Sequence, residues 1–484
     1  MYGSPDNQSR VSDVFSKGQR MVEVITVETP ELGDRSYIAH DGSTAVVIDP
    51  QRDLDRLQPL LREAGLTVAL VLETHLHNDY VSGGRELARQ AGARYVIAAG
   101  DDVDFDAERV VDGDQLPAGR LQVEVMATPG HTDGHVAYVV HDTQAGPGAS
   151  SVVFSGGCLL YGSVGRTDLV DPARTDELTR AQYHSACRLA RSLPDPTRLF
   201  PTHGFGSFCS SGSSSGGDAS TIGQEKAGND ALVTGDEQSF VDALVAGLTA
   251  YPRYYAHMGD RNRAGAGAAD LSEARAADPD EIAKRIGDGE WVVDLRTRTA
   301  FAARHIDGAI GIEVGEQFAT YLGWLIPWGT PVTLVGDSAE QVADAQRQLV
   351  RIGIERPAGA AVGSVEDLAA GREVRSYRRV DFAEAARARQ QDGVTVLDVR
   401  RDDEHAGGAL PGSVHIPMHS LLDRLGELPE AQLWVHCASG FRASVAASLL
   451  DRAGHDVVLI DDAYSHAEQL GLTAPVADNS TAAA

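Results

Sequence analysis

The stretch Val292-Val293-Asp294-Leu295-Arg296 returns later in the chain as Val396-Leu397-Asp398-Val399-Arg400. Two more matches keep the same order. Arg304–Ala309 corresponds in position to Gly408–Ser413, and Val332–Val335 to Leu433–His436. A chain that repeats a unit in this way folds it twice, so residues 270–375 and 376–475 are predicted to be two similar α/β units. The short apolar runs read as buried strands and the stretches between them as helices. The copies differ at one decisive point. The second places Cys437 directly after its apolar run, in His436-Cys437-Ala438-Ser439-Gly440-Phe441-Arg442, where the first has Gly336-Asp337-Ser338. The first copy therefore has no thiol nucleophile there and reads as a structural or docking unit.

Cys437 is predicted to sit at a strand-to-helix turn, before the helical pattern Ala443–Leu450. Backbone N–H groups of such a turn curl around a sulfur, and the positive end of the helix faces it, which stabilises an anionic thiolate. Gly440 permits the tight backbone, Ser439 supports the loop, and Arg442 adds a fixed cation. An inert buried cysteine is the ordinary alternative; the glycine and arginine that follow argue against it. Asp398 and Arg400 are expected to brace the fold. Glu404 and His405 either shape the substrate entrance or, more ordinarily, are solvated surface.

Upstream, strands are predicted at Val22–Val27, Ser36–Ala39, Ala45–Ile48 and Val68–Leu72, with a helix over Leu54–Ala64. Strands and helices alternate to about residue 200, an α/β pattern. Residues 1–20 read as a flexible polar arm, 206–217 as a Ser/Gly-rich loop, 237–248 as a helix, 264–269 as a linker and 476–484 as a tail. The domains expected are thus 21–263, 270–375 and 376–475. Histidines gather at strand ends in the first of them. His75 and His77 lie in Thr74-His75-Leu76-His77-Asn78-Asp79-Tyr80, His131 in Thr128-Pro129-Gly130-His131-Thr132, and His203 in Pro201-Thr202-His203-Gly204. Imidazoles supplied by several strand ends suit zinc or Fe(II), and Asp79 is a hard anionic ligand or an orienter of one. A lone buried histidine is more often a hydrogen-bonded core residue; the joint pattern favours a metal site.

Charge and cysteine usage narrow the partners. A net charge of −28 argues against nucleic acid or an anionic membrane surface. Four scattered cysteines, Cys158, Cys187, Cys209 and Cys437, form no CxxC pair and no disulfide framework, which fits a reducing cytoplasm. No signal-peptide pattern stands at the N-terminus and no apolar run reaches membrane-spanning length. Cys187 is expected in a helix core, Cys209 in packing near His203, and Cys158 as a conceivable soft ligand.

Residues 21 to about 250 resemble the metallo-β-lactamase fold, through the His75/His77/Asp79 loop and the turns carrying His131 and His203. Residues 270–475 resemble two rhodanese domains, the second carrying Cys437, Gly440 and Arg442 in a CxxGxR loop. The combination is similar to bacterial persulfide dioxygenase–rhodanese fusions, and Gly165-Arg166-Thr167-Asp168-Leu169 favours that subfamily over hydrolases. The resemblance implies an αββα sandwich followed by two rhodanese-like α/β domains. It implies a mononuclear Fe(II) that meets a thiol persulfide and O2, with release of sulfite and a thiol such as glutathione. It also implies a Cys437 persulfide exchanging sulfur with thiosulfate or sulfite, and a homo-oligomer. In that family two histidines and one aspartate hold the iron. His75 and His131 match the histidines, but the turn that should carry the aspartate reads Phe154-Ser155-Gly156-Gly157-Cys158, with Gly157 at the carboxylate position. Tyr80 stands where hydrolases have a further histidine, which disfavours a two-zinc thioester hydrolase. Three arrangements remain: an all-histidine site of His75, His77 and His131; a site to which Asp79 brings the missing charge; or a metal-free scaffold beside a working sulfurtransferase. Asp79 and His203 are the further candidates, each as an additional ligand or as a residue that orients one.

Overall fold

The computed structural model describes residues 22–145, 151–212, 217–388 and 391–476. The arm at 1–20, and the tail beyond Val476, lie outside the described residues. The chain divides into two compact units. The first holds the chain to Leu248 with Tyr254–Ala269 and Val350–Gly353; the second holds Thr249–Arg253, Asp270–Leu349 and the chain from Ile354.

The first unit is two six-stranded sheets face to face. One runs Glu23–Thr29, Asp34–His40, Thr44–Ile48, Thr67–Leu72, Arg94–Ala98, Glu108–Val110 in spatial as well as chain order. The other runs Gln115–Ala118, Leu121–Ala127, Val136–Asp142, Val152–Gly156, Arg198–Pro201, Ser220–Thr221, again in order. Strands such as Ala45-Val46-Val47-Ile48 are apolar throughout because both faces are covered. Val46 and Ile48 meet Val123, Val125 and Phe154 between the sheets, while Ala45 and Val47 pack outward under the helices Leu57–Glu63 and Gly84–Ala91. The second sheet's outer face is covered by Thr175–Ser192, Ile222–Gly228 and Glu237–Gly247. This is an αββα sandwich. The helix expected over 54–64 is a 3₁₀ turn, Leu54–Arg56, followed by the α-helix Leu57–Glu63.

In the second unit each copy builds a parallel sheet with helices against it. The first orders its strands Ile310–Gly311, Trp291–Asp294, Val332–Gly336, Gly359–Val362. The second orders Arg378–Val380, Val457–Ile460, Gln432–His436, Val394–Asp398, Val414–His415. The repeated Asp-x-Arg makes the same brace twice. Arg296 Nη2 donates to Asp294 at 2.6 Å and to the Arg304 carbonyl at 2.8 Å. Arg400 Nη2 donates to Asp398 at 2.6 Å and to the Gly408 carbonyl at 2.8 Å. Both members of the second pair are buried, so removing the carboxylate strands a guanidinium in the core. Asp398→Ala is expected to cost about 3–5 kcal/mol, read as a lower denaturant midpoint for the transition that carries the Trp434 fluorescence change.

Candidate functional sites

In the first unit the histidine turns meet at one place. His75 and His77 follow the strand Thr67–Leu72, His131 lies between Leu121–Ala127 and Val136–Asp142, and His203 follows Arg198–Pro201. His75, His131 and His203 are buried, and one ligand nitrogen of each lies within 4.8 Å of the others. His203 Nε2 is 3.3 Å from His75 Nε2.

The far side of each ring fixes its tautomer. His131 Nδ1 is 2.6 Å from the Arg166 carbonyl, which can only accept. His203 Nδ1 faces Asp34 Oδ1 at 2.9 Å and Asp79 Oδ2 at 3.2 Å. His75 Nδ1 faces Thr74 Oγ1 at 2.9 Å, and that hydroxyl spends its own proton on Asp49 Oδ2 at 2.8 Å. All three Nδ1 atoms therefore carry hydrogen, which leaves Nε2 as the ligand nitrogen of each. Burial, then the neighbouring imidazoles, hold His75 well below the usual histidine range. Burial, with His203 next, brings His131 down to about 3. Burial alone would lower His203 too, but Asp79 and Asp34 outweigh it and push the ring up to about 9. A proton on His203 Nε2 thus serves the His75 lone pair. A metal ion at the same point would serve three nitrogens at once, and it would need no further proton to be displaced from His75 or His131. The donor set fits a nitrogen-preferring divalent metal with open positions.

His77 stands differently from the expected His75/His77/His131 set. Its Nε2 lies 3.3 Å from Asp49 Oδ1, 3.3 Å from Glu73 Oε2 and 3.0 Å from the Tyr80 hydroxyl. Burial opposes its charge, but Asp49 and Glu73 hold the imidazolium well above the usual range. His77, Asp79 and His203 form a second group with ligand atoms within 4.8 Å. Asp79 is engaged with His203 and receives a 3.5 Å contact from Ser207 Oγ.

At Gly157 a β-carbon would run into the His131 ring, and one at Gly165 would come 2.7 Å from His131 Nδ1. His131 is wedged between two glycines, so the residue at 157 is small because the ring needs its space. Gln182, from the middle of the helix Thr175–Ser192, accepts from the His131 N–H at 2.9 Å and donates to the Gly157 and Cys158 carbonyls at 2.9 and 2.7 Å. Cys158 points into the apolar layer beneath that helix, where burial pushes its thiol up to about 12. Cys187 is buried in the same helix. Cys209 lies beside Asp79, its thiol raised by burial and then by that carboxylate.

In the second unit Cys437 sits at the turn between Gln432–His436 and the helix Phe441–Arg452. Gly440, at φ +93°, turns its N–H to the Cys437 sulfur at 3.1 Å. The Tyr464 N–H holds the Ala438 carbonyl at 2.8 Å, and Ser439 is exposed on the loop. Arg442 makes a two-pronged pair with Glu404, at 2.5 and 2.7 Å. Burial works against the Glu404 carboxylate, yet Arg442 keeps it below the usual range. Glu404 is therefore half-buried machinery around Arg442 rather than solvated surface. His405 stacks on His415 with ring centroids 3.8 Å apart. His436 is buried and brought down to about 4 chiefly by desolvation.

Residues 31–203 match the metallo-beta-lactamase superfamily. Residues 278–370 and 381–468 match the rhodanese-like domain. The chain is 32% identical over 181 residues to human mitochondrial persulfide dioxygenase ETHE1, which covers 37% of this chain and 63% of that protein. It is 34% identical over 162 residues to a hydroxyacylglutathione hydrolase of Synechococcus, covering 33% of this chain and 59% of the relative. It spans about three-fifths of the length of these curated relatives. A solved metallo-beta-lactamase from Staphylococcus aureus aligns over 71% of this chain and 100% of its own, with a TM-score of 0.63 and 26% identity. The chain thus carries a metallo-β-lactamase-superfamily domain followed by two rhodanese-like domains. The first domain has persulfide dioxygenases among its homologues.

The packing of His131 carries a test. Gly157→Ala is expected to displace the ring and lower metal bound at limiting supply by about tenfold. Cys158→Ala leaves metal content unchanged. Elemental analysis of the purified proteins reads both.

Proposed function

We propose that this chain is a sulfur-metabolism enzyme with two working centres. The first oxidises a low-molecular-weight thiol persulfide with O2 and water to sulfite and the thiol, glutathione being one such thiol. The second carries sulfane sulfur on Cys437. The observation that carries the reading is the convergence of three imidazoles, each with its outer nitrogen already hydrogen-bonded, in one chain with a rhodanese-type cysteine turn.

His75, His131 and His203 would hold a mononuclear iron(II); Asp79 and Asp34 orient His203, and the Arg166 carbonyl orients His131. Bound there, the metal would supply redox chemistry towards O2 and sulfur. The protein excludes bulk water by burying every histidine of the cluster. The sulfane sulfur gives up four electrons to O2, two protons go to solvent, and the thiol leaves with its own sulfur.

At the second centre the Cys437 thiolate attacks the outer sulfur of a thiol persulfide or thiosulfate. A new S–S bond forms as the donor's S–S bond breaks, and the electron pair leaves on the thiolate or on sulfite. The Gly440 N–H and the Arg442 guanidinium stabilise the anionic sulfur that remains. The four cysteines are free and buried, which suits a reducing cytoplasm. No described helix is long and apolar enough to cross a membrane.

A sulfurtransferase with a metal-free first domain is the alternative, favoured by Gly157 and by the 3.3 Å His203–His75 contact that a proton can close. A two-zinc hydrolase finds no support in Tyr80, whose hydroxyl contacts His77 and the Asp49 carbonyl. The two centres separate by mutation. His131→Ala abolishes persulfide-dependent O2 uptake and keeps sulfur transfer; Cys437→Ser does the reverse. An oxygen electrode and a sulfur-transfer assay on the same preparations decide it, and O2 uptake surviving His131→Ala would refute the iron assignment.

A further inference from the structure

The first rhodanese copy, which lacks a cysteine, reaches the Cys437 turn at two places. Tyr321, from the helix Phe318–Leu325, packs on Phe441 with ring centroids 5.6 Å apart. Arg298 opens the helix Arg298–Ala303, and its Nε donates to Asp461 Oδ1 at 2.8 Å. Glu313 Oε2 accepts from Arg298 Nη1 at 3.2 Å and from its backbone N–H at 3.1 Å, which fixes the arginine's base.

Asp461 follows the strand Val457–Ile460, and its other oxygen accepts from Arg379 Nη1 at 3.0 Å. The carboxylate lies directly against the catalytic turn. A β-carbon on Gly440 would collide with Asp461 Oδ1 and come 3.4 Å from Arg298 Nε. Gly440 is the residue whose N–H faces the Cys437 sulfur. Asp461, its side chain 6% exposed, is thus a negative charge behind a loop that must hold an anionic sulfur, and uncompensated it opposes that anion. Of its two cations, Arg379 is 48% exposed and Arg298 30% exposed, so solvent screens Arg298 less.

The other charged groups facing Cys437 are already balanced. Arg442 pairs with Glu404, with Arg401 3.7 Å from the same carboxylate. Asp398 pairs with Arg400 behind the strand end, beside a His436 that burial keeps neutral. Tyr321 is neutral, its phenol raised by burial. Among these groups of the described residues, Asp461 is the carboxylate paired with a cation from the other copy.

We propose that Arg298 is a positioning residue of the Cys437 site: it pins Asp461 against Gly440 and cancels its charge, so that the loop N–H groups and Arg442 govern the sulfur. The cysteine-less copy is then a working part of the site. This rests on reading Cys437 as the sulfur carrier.

The test is the pH dependence of Cys437 alkylation by iodoacetamide in the full chain, followed by peptide mass, alongside steady-state sulfur transfer. Arg298→Gln moves the alkylation midpoint up by about one pH unit and lowers kcat about tenfold with KM little changed. Arg298→Lys recovers most of both. Asp461→Asn moves the midpoint down, and the double variant Arg298→Gln/Asp461→Asn returns near the wild-type value. A purely structural brace would not give shifts of opposite sign. An unchanged midpoint in Arg298→Gln, or a shift of the same sign in Asp461→Asn, overturns the proposal. If Arg298→Gln does not fold, Asp461→Asn still decides: a lowered midpoint upholds the proposal, and an unchanged or raised one overturns it. Alkylation needs no sulfur transfer. Shifts as stated in a protein that transfers none would uphold the role of Arg298 and refute Cys437 as carrier.

Discussion

Three imidazole nitrogens brought to one buried point call for a cation there, a shared proton or a metal ion. In this protein the requirement is set from behind. The Arg166 carbonyl, the Asp34 and Asp79 carboxylates and the Thr74 hydroxyl each take an Nδ1 hydrogen, and so turn His131, His203 and His75 inward. The sandwich exists around this arrangement: both sheets end their strands at the site, and the turns that carry the histidines are the connections between those strands. Arg166 is itself held by Asp168 at 2.7 and 2.8 Å and donates to the Phe208 carbonyl at 3.1 Å. The Gly165–Leu169 motif thereby acts on His131 through a backbone oxygen, with its side chains as support.

The absent carboxylate at position 157 acquires a physical meaning in this setting. Here His131 occupies the space between Gly157 and Gly165, and Asp34 and Asp79 meet the cluster from outside, touching His203 on its far nitrogen. Imidazole ligands backed by buried carboxylates gain basicity without surrendering a coordination position.

Much of this was legible in the sequence. The repeat at Asp294/Asp398 marks two like units, and the strand-end histidines mark the chemical end of the sandwich. Cys437 with Gly440 and Arg442 marks the sulfur loop. What was not legible depends on contacts far apart in the chain. That His203 rather than His77 meets His75 and His131 at one point follows from Asp34, over a hundred and sixty positions from His203, and from the contacts of His77 with Asp49 and Glu73. Glu404 looks like any charged helix-end residue until Arg442 folds onto it. Gln182 sits mid-helix with no motif around it, and Arg298 gives no sign of reaching Asp461 in the other copy. The helix over 54–64 begins as a 3₁₀ turn, with Pro59 in the first turn of the α-helix, where its missing N–H costs no hydrogen bond.

The account turns on whether the three-histidine cluster holds metal. The most direct measurement is the metal content of the full chain purified without oxygen from iron-supplied cells, compared with its His203→Ala variant. The account predicts about one iron per chain in the native protein and little in the variant. Metal absent from both would contradict it and leave Cys437 as the sole active centre. Equal iron in both would show that His203 is not a ligand.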